Sequence, residues 1–293
     1  MSRPLRVFLI STSLLGIIFG GNYLLKNFLS KPVVGSNMIS GKDGMNMVYV
    51  PAGEFTMGSD ADDVLAKCKK YRTDCQRSWF TDEEPAHRVN LDAFWMDKTE
   101  VTNIMYAQCV SDGACSSPSS VKSRTQDSYY GNSEFDNYPV IYVNWYQANT
   151  YCAWAGRELP TEAQWEKAAR GTDGRTYPWG DDSPNSNLLN YNWNIGDTVE
   201  VGSYLNGASV YGVLDMSGNV WELVSSLYQD YPYNENDGRE DLNASGSRVM
   251  RGGTWVYDDD HVRSANRAGL DPLNAYDFLG FRCVFVSLIE GLP

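Results

Sequence analysis

The sequence predicts an α+β fold made of short strands and short helices, and three observations predict it. The chain of 293 residues contains 9 Trp, 19 Tyr and 26 Gly, a composition that favours aromatic packing and tight turns over long helices. Several short segments alternate apolar and polar residues, as half-buried strands do. Two other segments begin with a capping-box pattern and end on glycine, as short helices do. Length alone allows one large domain or two ordinary ones, with a substantial core in either case.

The elements follow in chain order. Arg3 and Arg6 precede Val7 to Leu25, a run of nineteen residues without a charge and long enough to cross a hydrocarbon core of ~30 Å. No Ala-x-Ala cleavage site stands before Lys26, and the run exceeds a usual signal-peptide core. The expected organisation is a short cytoplasmic N-terminus (1–6), a transmembrane signal anchor (7–25), a Gly/Ser/Asn-rich tether (26–44) and an extracytoplasmic domain (45–293). The net charge is −13. Beyond the first 31 residues, 20 Lys and Arg face 37 Asp and Glu, which excludes nucleic acid and an anionic membrane surface as partners of the domain.

The folded part is expected to open with MVYVPAGEFTMGS as a hairpin turning at Pro51-Ala52-Gly53, followed by a short helix started by Ser59 or Asp60 and carrying Cys68. His87 lies in an alternating strand, where a packed, hydrogen-bonded imidazole is the expected state. Thr102 precedes two helical turns that place Cys109 and Cys115 at a helix end and its turn, close enough to pair. Residues 116–137 read as a polar surface loop. Asn144 with Gln147, and Thr161 with Gln164, cap the next two helices, which close at Gly156 and Gly171. A loop-like stretch to about 204 includes an oxygen-rich cluster around Asn190 and Asp197. Arg248 to Val256 and Phe281 to Val286 read as strands. Asp258, Asp259, Asp260 and His261 stand between them, and consecutive residues on a turn are expected to point apart.

The chemistry-bearing stretch is NGASVYGVLDMSGNVWEL, Asn206 to Leu223. Asp215 and Glu222 stand seven residues apart in a run whose Gly212 and Gly218 supply tight corners. Inward carbonyls beside two carboxylates form an oxygen-only donor set suited to Ca²⁺. The competing assignment has Asp215 capping a turn and Glu222 in solvent. The six cysteines, Cys68, Cys75, Cys109, Cys115, Cys152 and Cys283, are free to form disulfides if the domain is exported. A zinc motif is not evident, since no CxxC is present and the histidines are His87 and His261 alone.

MVYVPAGEFTMGS, EPAHRVNLDAFWMDKTEVTN, YPVIYVNWYQANTYCAWAGRELPTEAQWEKAARG, YPWGDD, YGVLDMSGNVWEL, RGGTW and LGFRC occur in the order found in the formylglycine-generating, or sulfatase-modifying factor, family. The chain resembles that family from about residue 47 to 284. The resemblance implies one compact domain with little regular secondary structure, a variant of the C-type-lectin-like fold. It implies calcium held by Asp215, the Gly218 and Val220 carbonyls and Glu222, and a second calcium held by Asn190, the Tyr191 carbonyl, Asp197 and the Val199 carbonyl. It also implies a Cys152–Cys283 disulfide, after which three pairings remain for the other cysteines and proximity favours Cys68–Cys75 and Cys109–Cys115.

Family enzymes oxidise a client cysteine to formylglycine with a copper-binding cysteine pair just after the RGG strand. In this chain Arg251 to Gly253 is intact, Tyr257 follows, and no cysteine lies between Arg251 and Phe281. Copper is therefore not expected, because a thiolate pair is what Cu(I) requires. Leu223 and Ser226 also replace the usual Trp and Asp. The leading expectation is a non-catalytic pseudoenzyme, a membrane-anchored module binding a protein partner in a membrane complex or an extended ligand. The alternative is an oxidoreductase-type enzyme modifying a protein or peptide through a non-cysteine site, as in relatives that take part in sulfoxide synthesis or peptide maturation.

Overall fold

In the computed structural model, residues 32–70 and 72–286 are described. The expected membrane span at 7–25 lies outside them. Among the described residues no helix is long and apolar enough to cross a membrane.

The first sheet has four strands in the order β1 (Asn37–Ile39), β2 (Asn46–Val50), β5 (Phe94–Asp97) and β10 (Val284–Phe285), all antiparallel. A two-stranded ribbon pairs β3 (Gly53–Met57) with β4 (His87–Leu91). The second four-stranded sheet has the order β8 (Arg267–Leu270), β7 (Arg248–Arg251), β6 (Trp221–Leu227) and β9 (Leu279–Phe281), with β9 parallel to β6. Among the described residues four α-helices accompany them: α1 (Ala61–Cys68), α2 (Asn103–Ser111), α3 (Trp145–Trp154) and α4 (Glu162–Arg170).

The helix starts follow from local chemistry. Asp60, Thr102, Asn144 and Thr161 each accept first-turn N–H groups, which have no partner inside a helix. Asn144/Gln147 and Thr161/Gln164 complete reciprocal capping boxes.

Three expectations are corrected. The MVYVPAGEFTMGS hairpin does not form: β2 pairs with β1 and β5, whereas β3 pairs with β4. Pro51 to Gly53 is the point at which the chain leaves one sheet for the ribbon, with Gly53 at φ +131. The tether is shorter than expected, because β1 lies within 26–44 and Asp43 is buried. Asp43 pairs with Arg157, which also holds Asp97 at 2.8 Å. Segment 116–137 is more than a surface loop, since Tyr129 and Phe135 are buried against Ile141 and Val220.

One core cluster joins α3 to the second sheet through Trp145, Tyr151, Trp221, Leu223 and Phe281. A second cluster packs Trp165 of α4 against Val224, Val249 and Val284. Cys283 lies between β9 and β10, where the chain passes from the second sheet to the first, and it is bonded to Cys152 on α3. Cys68–Cys75 and Cys109–Cys115 form the other two bridges, as proximity favours.

Beneath the second sheet lies an ionic layer. Arg251 of the RGG segment pairs with Glu166 and donates to the Ala265 and Asn266 carbonyls. Arg267 grips Glu162 at 2.7 and 2.9 Å, and Arg263 grips Glu83 at 2.8 and 2.6 Å. Each of these buried charges faces an opposite one, the arrangement in which burial is tolerated.

Candidate functional site

The Asp215–Glu222 stretch turns sharply before entering β6. Asp215, Gly218 and Asn219 have φ of +57, +78 and +56. At Gly218 a Cβ would lie 2.3 Å from the Asn190 carbonyl oxygen, so only glycine fits. Glu222 is therefore a strand residue. Both its oxygens meet the Arg282 guanidinium at 2.6 Å, and Trp165 Nε1 donates to one of them at 2.8 Å.

Asp215 Oδ2 accepts the Gly202 N–H at 2.5 Å, and its carboxyl group lies close enough to Glu100 for the two charges to interact. Glu100 is fully buried; Oε1 accepts from Asn219 Nδ2 at 2.9 Å, and Oε2 has no hydrogen-bond partner. Three buried carboxylates thus share the field of Arg282. Burial pushes the Glu100 carboxyl well above its ordinary range, and the nearby Asp215 and Glu222 charges add to the effect. Burial also raises Asp215. Glu100 was missed in the sequence because it lies far upstream of the stretch it joins.

The second expected cluster abuts the first. Asn219 N–H donates to the Asn190 carbonyl at 2.8 Å, and Val199 N–H donates to Asn219 Oδ1 at 3.0 Å. Asn190 is fully buried, donates Nδ2 to the Asp197 carbonyl at 2.8 Å, and has Oδ1 without a partner. Asp197 turns its carboxylate elsewhere, accepting from Ser123 Oγ, Thr125 N and Oγ1 and Thr198 N at 2.6–2.8 Å. It anchors segment 116–137. Tyr191 donates its N–H to Asn194 Oδ1 at 3.2 Å.

Around Tyr257, just after the RGG segment where the resemblance expects a cysteine pair, the surface is aromatic. Tyr257 is 37% exposed, stands edge-on to buried Trp221 at 6.0 Å and stacks on His261 at 4.5 Å. Trp193, 51% exposed, stands edge-on to Trp255 at 4.8 Å, with the Arg124 guanidinium 5.8 Å from its ring. Tyr276 stacks on Phe278 at 5.1 Å. Tyr142, Asn192 and Trp193 have φ of +57, +48 and +59, a conformation that costs non-glycine residues about 1–3 kcal/mol each and clusters at functional sites.

Main-chain bonds hold that conformation. Trp193 N–H donates to the Trp255 carbonyl at 2.8 Å, Asn192 N–H to Tyr257 at 2.8 Å, and Tyr142 N–H to Tyr276 at 3.0 Å. The strained residues are thus tied to the segments carrying the exposed rings. The result is a preset aromatic face.

Residues 258–261 do not converge as a group, though two of them meet. Asp258 Oδ1 and His261 Nδ1 lie 2.9 Å apart, and Arg72 donates to Asp258 Oδ2 at 2.6 Å. The His261 hydrogen bond is the main cause holding Asp258 below the usual carboxylate range. His87, as expected, is satisfied within the fold: Nδ1 faces the Pro85 carbonyl at 2.7 Å, and Nε2 accepts the Tyr233 N–H at 2.8 Å. All six cysteines are in disulfides, so the aromatic face holds no thiol.

Residues 36–286 match the family described as the sulfatase-modifying factor enzyme 1-like domain. The chain is 31% identical over 287 residues to the mouse (Mus musculus) protein named inactive C-alpha-formylglycine-generating enzyme 2, covering 81% of this chain and 84% of that one. It is 32% identical over 239 residues to hercynine oxygenase of Mycolicibacterium thermoresistibile, covering 68% of this chain and about half (52%) of that relative. Among solved structures it is similar to PvdO from Pseudomonas aeruginosa, with TM-score 0.65 and 26% identity over 87% of this chain and 98% of that one. The chain belongs to the sulfatase-modifying factor enzyme 1-like domain family, as a member lacking the catalytic cysteine pair.

Proposed function

We propose that the domain is a non-catalytic binding module that presents its aromatic face to a protein partner within a membrane-associated complex. The observation that carries this reading is Tyr257, an exposed ring backed by Trp221 just after the RGG segment, where the resemblance expects a cysteine pair. Its similarity to a relative named inactive, over most of both chains, supports it. An extracytoplasmic location agrees with three disulfides, and the Val7 to Leu25 run supplies the anchor. Exposed aromatic rings on a rigid base provide contact area at low entropic cost, which is why such residues dominate binding hot spots. The double variant Trp193→Ala/Tyr257→Ala is expected to fold normally and to lose at least about tenfold in recovery of partners that co-purify with the wild type, as loss of a hot spot would produce. Equal recovery of those partners would remove the aromatic face from the account.

The alternative, an oxidoreductase with a non-cysteine site, draws on the hercynine oxygenases within the family and on the Asp258–His261 pair beside Tyr257. A non-haem iron centre built on two histidines and a carboxylate needs a second imidazole. His87 cannot supply it from this chain, since both its nitrogens are engaged within the fold.

Calcium belongs to the same proposal as a structural ion. The residues fit it: Glu100 Oε2 and Asn190 Oδ1 are buried acceptors without partners, and the surrounding donors are oxygens. Asp215, Glu100 and the Gly218 and Val220 carbonyls would hold one ion, with Glu222 neutralised by Arg282. Asn190 and the Tyr191 and Val199 carbonyls would hold the other, with Asp197 still anchoring segment 116–137. A native-state ligand at a hundredfold excess over Kd adds about 2.7 kcal/mol. Melting the purified protein in Ca²⁺ and in excess chelator is expected to show that gain, and superimposable curves would contradict it.

A further inference from the structure

The Cys68–Cys75 disulfide follows α1 and packs against segment 257–262. Cys68 Sγ lies 3.2 Å from Asp260 Oδ2. Asp260 is 4% exposed, and its Oδ1 has no hydrogen-bond partner. One ligand atom from each of Cys68, Cys75 and Asp260 lies within 4.8 Å of the others. Two thiolates and a carboxylate are all zinc-ligating groups, and three of them leave a fourth tetrahedral position for water. In the oxidised chain the sulfurs are bonded to each other, so the site is closed.

We propose that Cys68, Cys75 and Asp260 form a redox-gated zinc site, closed as the disulfide and opened when a dithiol reductant acts on it. The reductant gives two electrons and two protons to the S–S bond and leaves as its own disulfide. Zn²⁺ then displaces the two thiol protons, so the ion enters as the dithiolate complex and two protons go to solvent. In the closed form Arg72 Nη1 lies 3.2 Å from Asp260 Oδ2 and 2.6 Å from Asp258 Oδ2. When zinc takes Asp260, Asp258 retains Arg72. His261 follows Asp260 directly and stacks on Tyr257, so zinc entry acts on the segment bearing the aromatic face.

The test uses the purified full chain, oxidised or treated with a phosphine reductant, with zinc supplied from a competing chromophoric chelator. Reduced wild type is expected to take one tightly held zinc per chain, and the oxidised chain none. Cys68→Ser/Cys75→Ser removes this binding. Asp260→Asn keeps all six thiols and is expected to weaken binding at least about tenfold, the loss that even supporting groups around a zinc ligand produce. Cobalt in place of zinc gives sulfur-to-metal charge-transfer absorption in the reduced wild type and none in Cys68→Ser/Cys75→Ser. Equal zinc affinity in reduced wild type and reduced Asp260→Asn overturns the proposal, as does equal affinity in Cys68→Ser/Cys75→Ser; either would reduce the binding to that of any exposed thiols.

Discussion

Removing the Cys152–Cys283 bridge as the double variant Cys152→Ala/Cys283→Ala is expected to destabilise the domain by about 5 kcal/mol, the chain-entropy value for so long a loop. The bridge spans a sequence separation of 131 and joins two fully buried residues. Cys68–Cys75 and Cys109–Cys115 span 7 and 6, and the same relation gives them roughly 2–2.5 kcal/mol each. The long bridge has a further role in the native state, because it ties α3 to the crossing between the two four-stranded sheets. A domain of this size shifts by about 2–4 °C per kcal/mol, so thermal unfolding of the double variant is expected roughly 10–20 °C lower. An unchanged midpoint, or peptide mapping of the oxidised wild type that finds Cys152 as a free thiol, would contradict this assignment.

What was legible in the sequence was set by short-range chemistry. Asn144 with Gln147 and Thr161 with Gln164 specify their helix starts through bonds only three residues long. Cys109 and Cys115 meet because a helix end and its turn bring them together. His87 reads correctly as a packed residue because its alternating strand fixes its environment. The order of the motif blocks identified the family and, through it, the long disulfide.

What was not legible depends on partners far away in the chain. Trp221–Leu227 is buried along its whole length, and a continuous buried run shows no alternation to mark it as a strand. Glycine density before it suggested a coil that continues through Glu222. Nothing near Val50 or Gly53 distinguishes a hairpin from a change of sheet, since the choice is made by β4 and β5 about forty residues later. Asp197 carried a calcium expectation, yet segment 123–125 claims its carboxylate. Glu100 gives no local sign of its role. It becomes a site residue only when Asn219 and Asp215 are folded against it.

The largest expected effect concerns a whole reaction: the domain is expected to show no formylglycine-generating activity. That reaction in family enzymes uses a thiolate pair as the soft site for copper and as the group engaging a client cysteine. Here Tyr257 follows the RGG segment, and no cysteine lies between Arg251 and Phe281. Tyr257 is packed against Trp221 and His261, while the nearest cysteine after it in the chain, Cys283, is fully buried in a disulfide. Neither a phenol nor the Asp258 carboxylate offers a soft donor. Mutating Tyr257 to cysteine alone would supply one sulfur where the reaction uses two, since all six native cysteines are in disulfides.

The direct measurement is incubation of the purified protein with a peptide carrying a sulfatase-type cysteine motif, copper and oxygen, followed by mass spectrometry of the peptide. The account predicts that the cysteine peptide is recovered unchanged, at the level of a protein-free control. Conversion of the cysteine to the aldehyde above that control would contradict it.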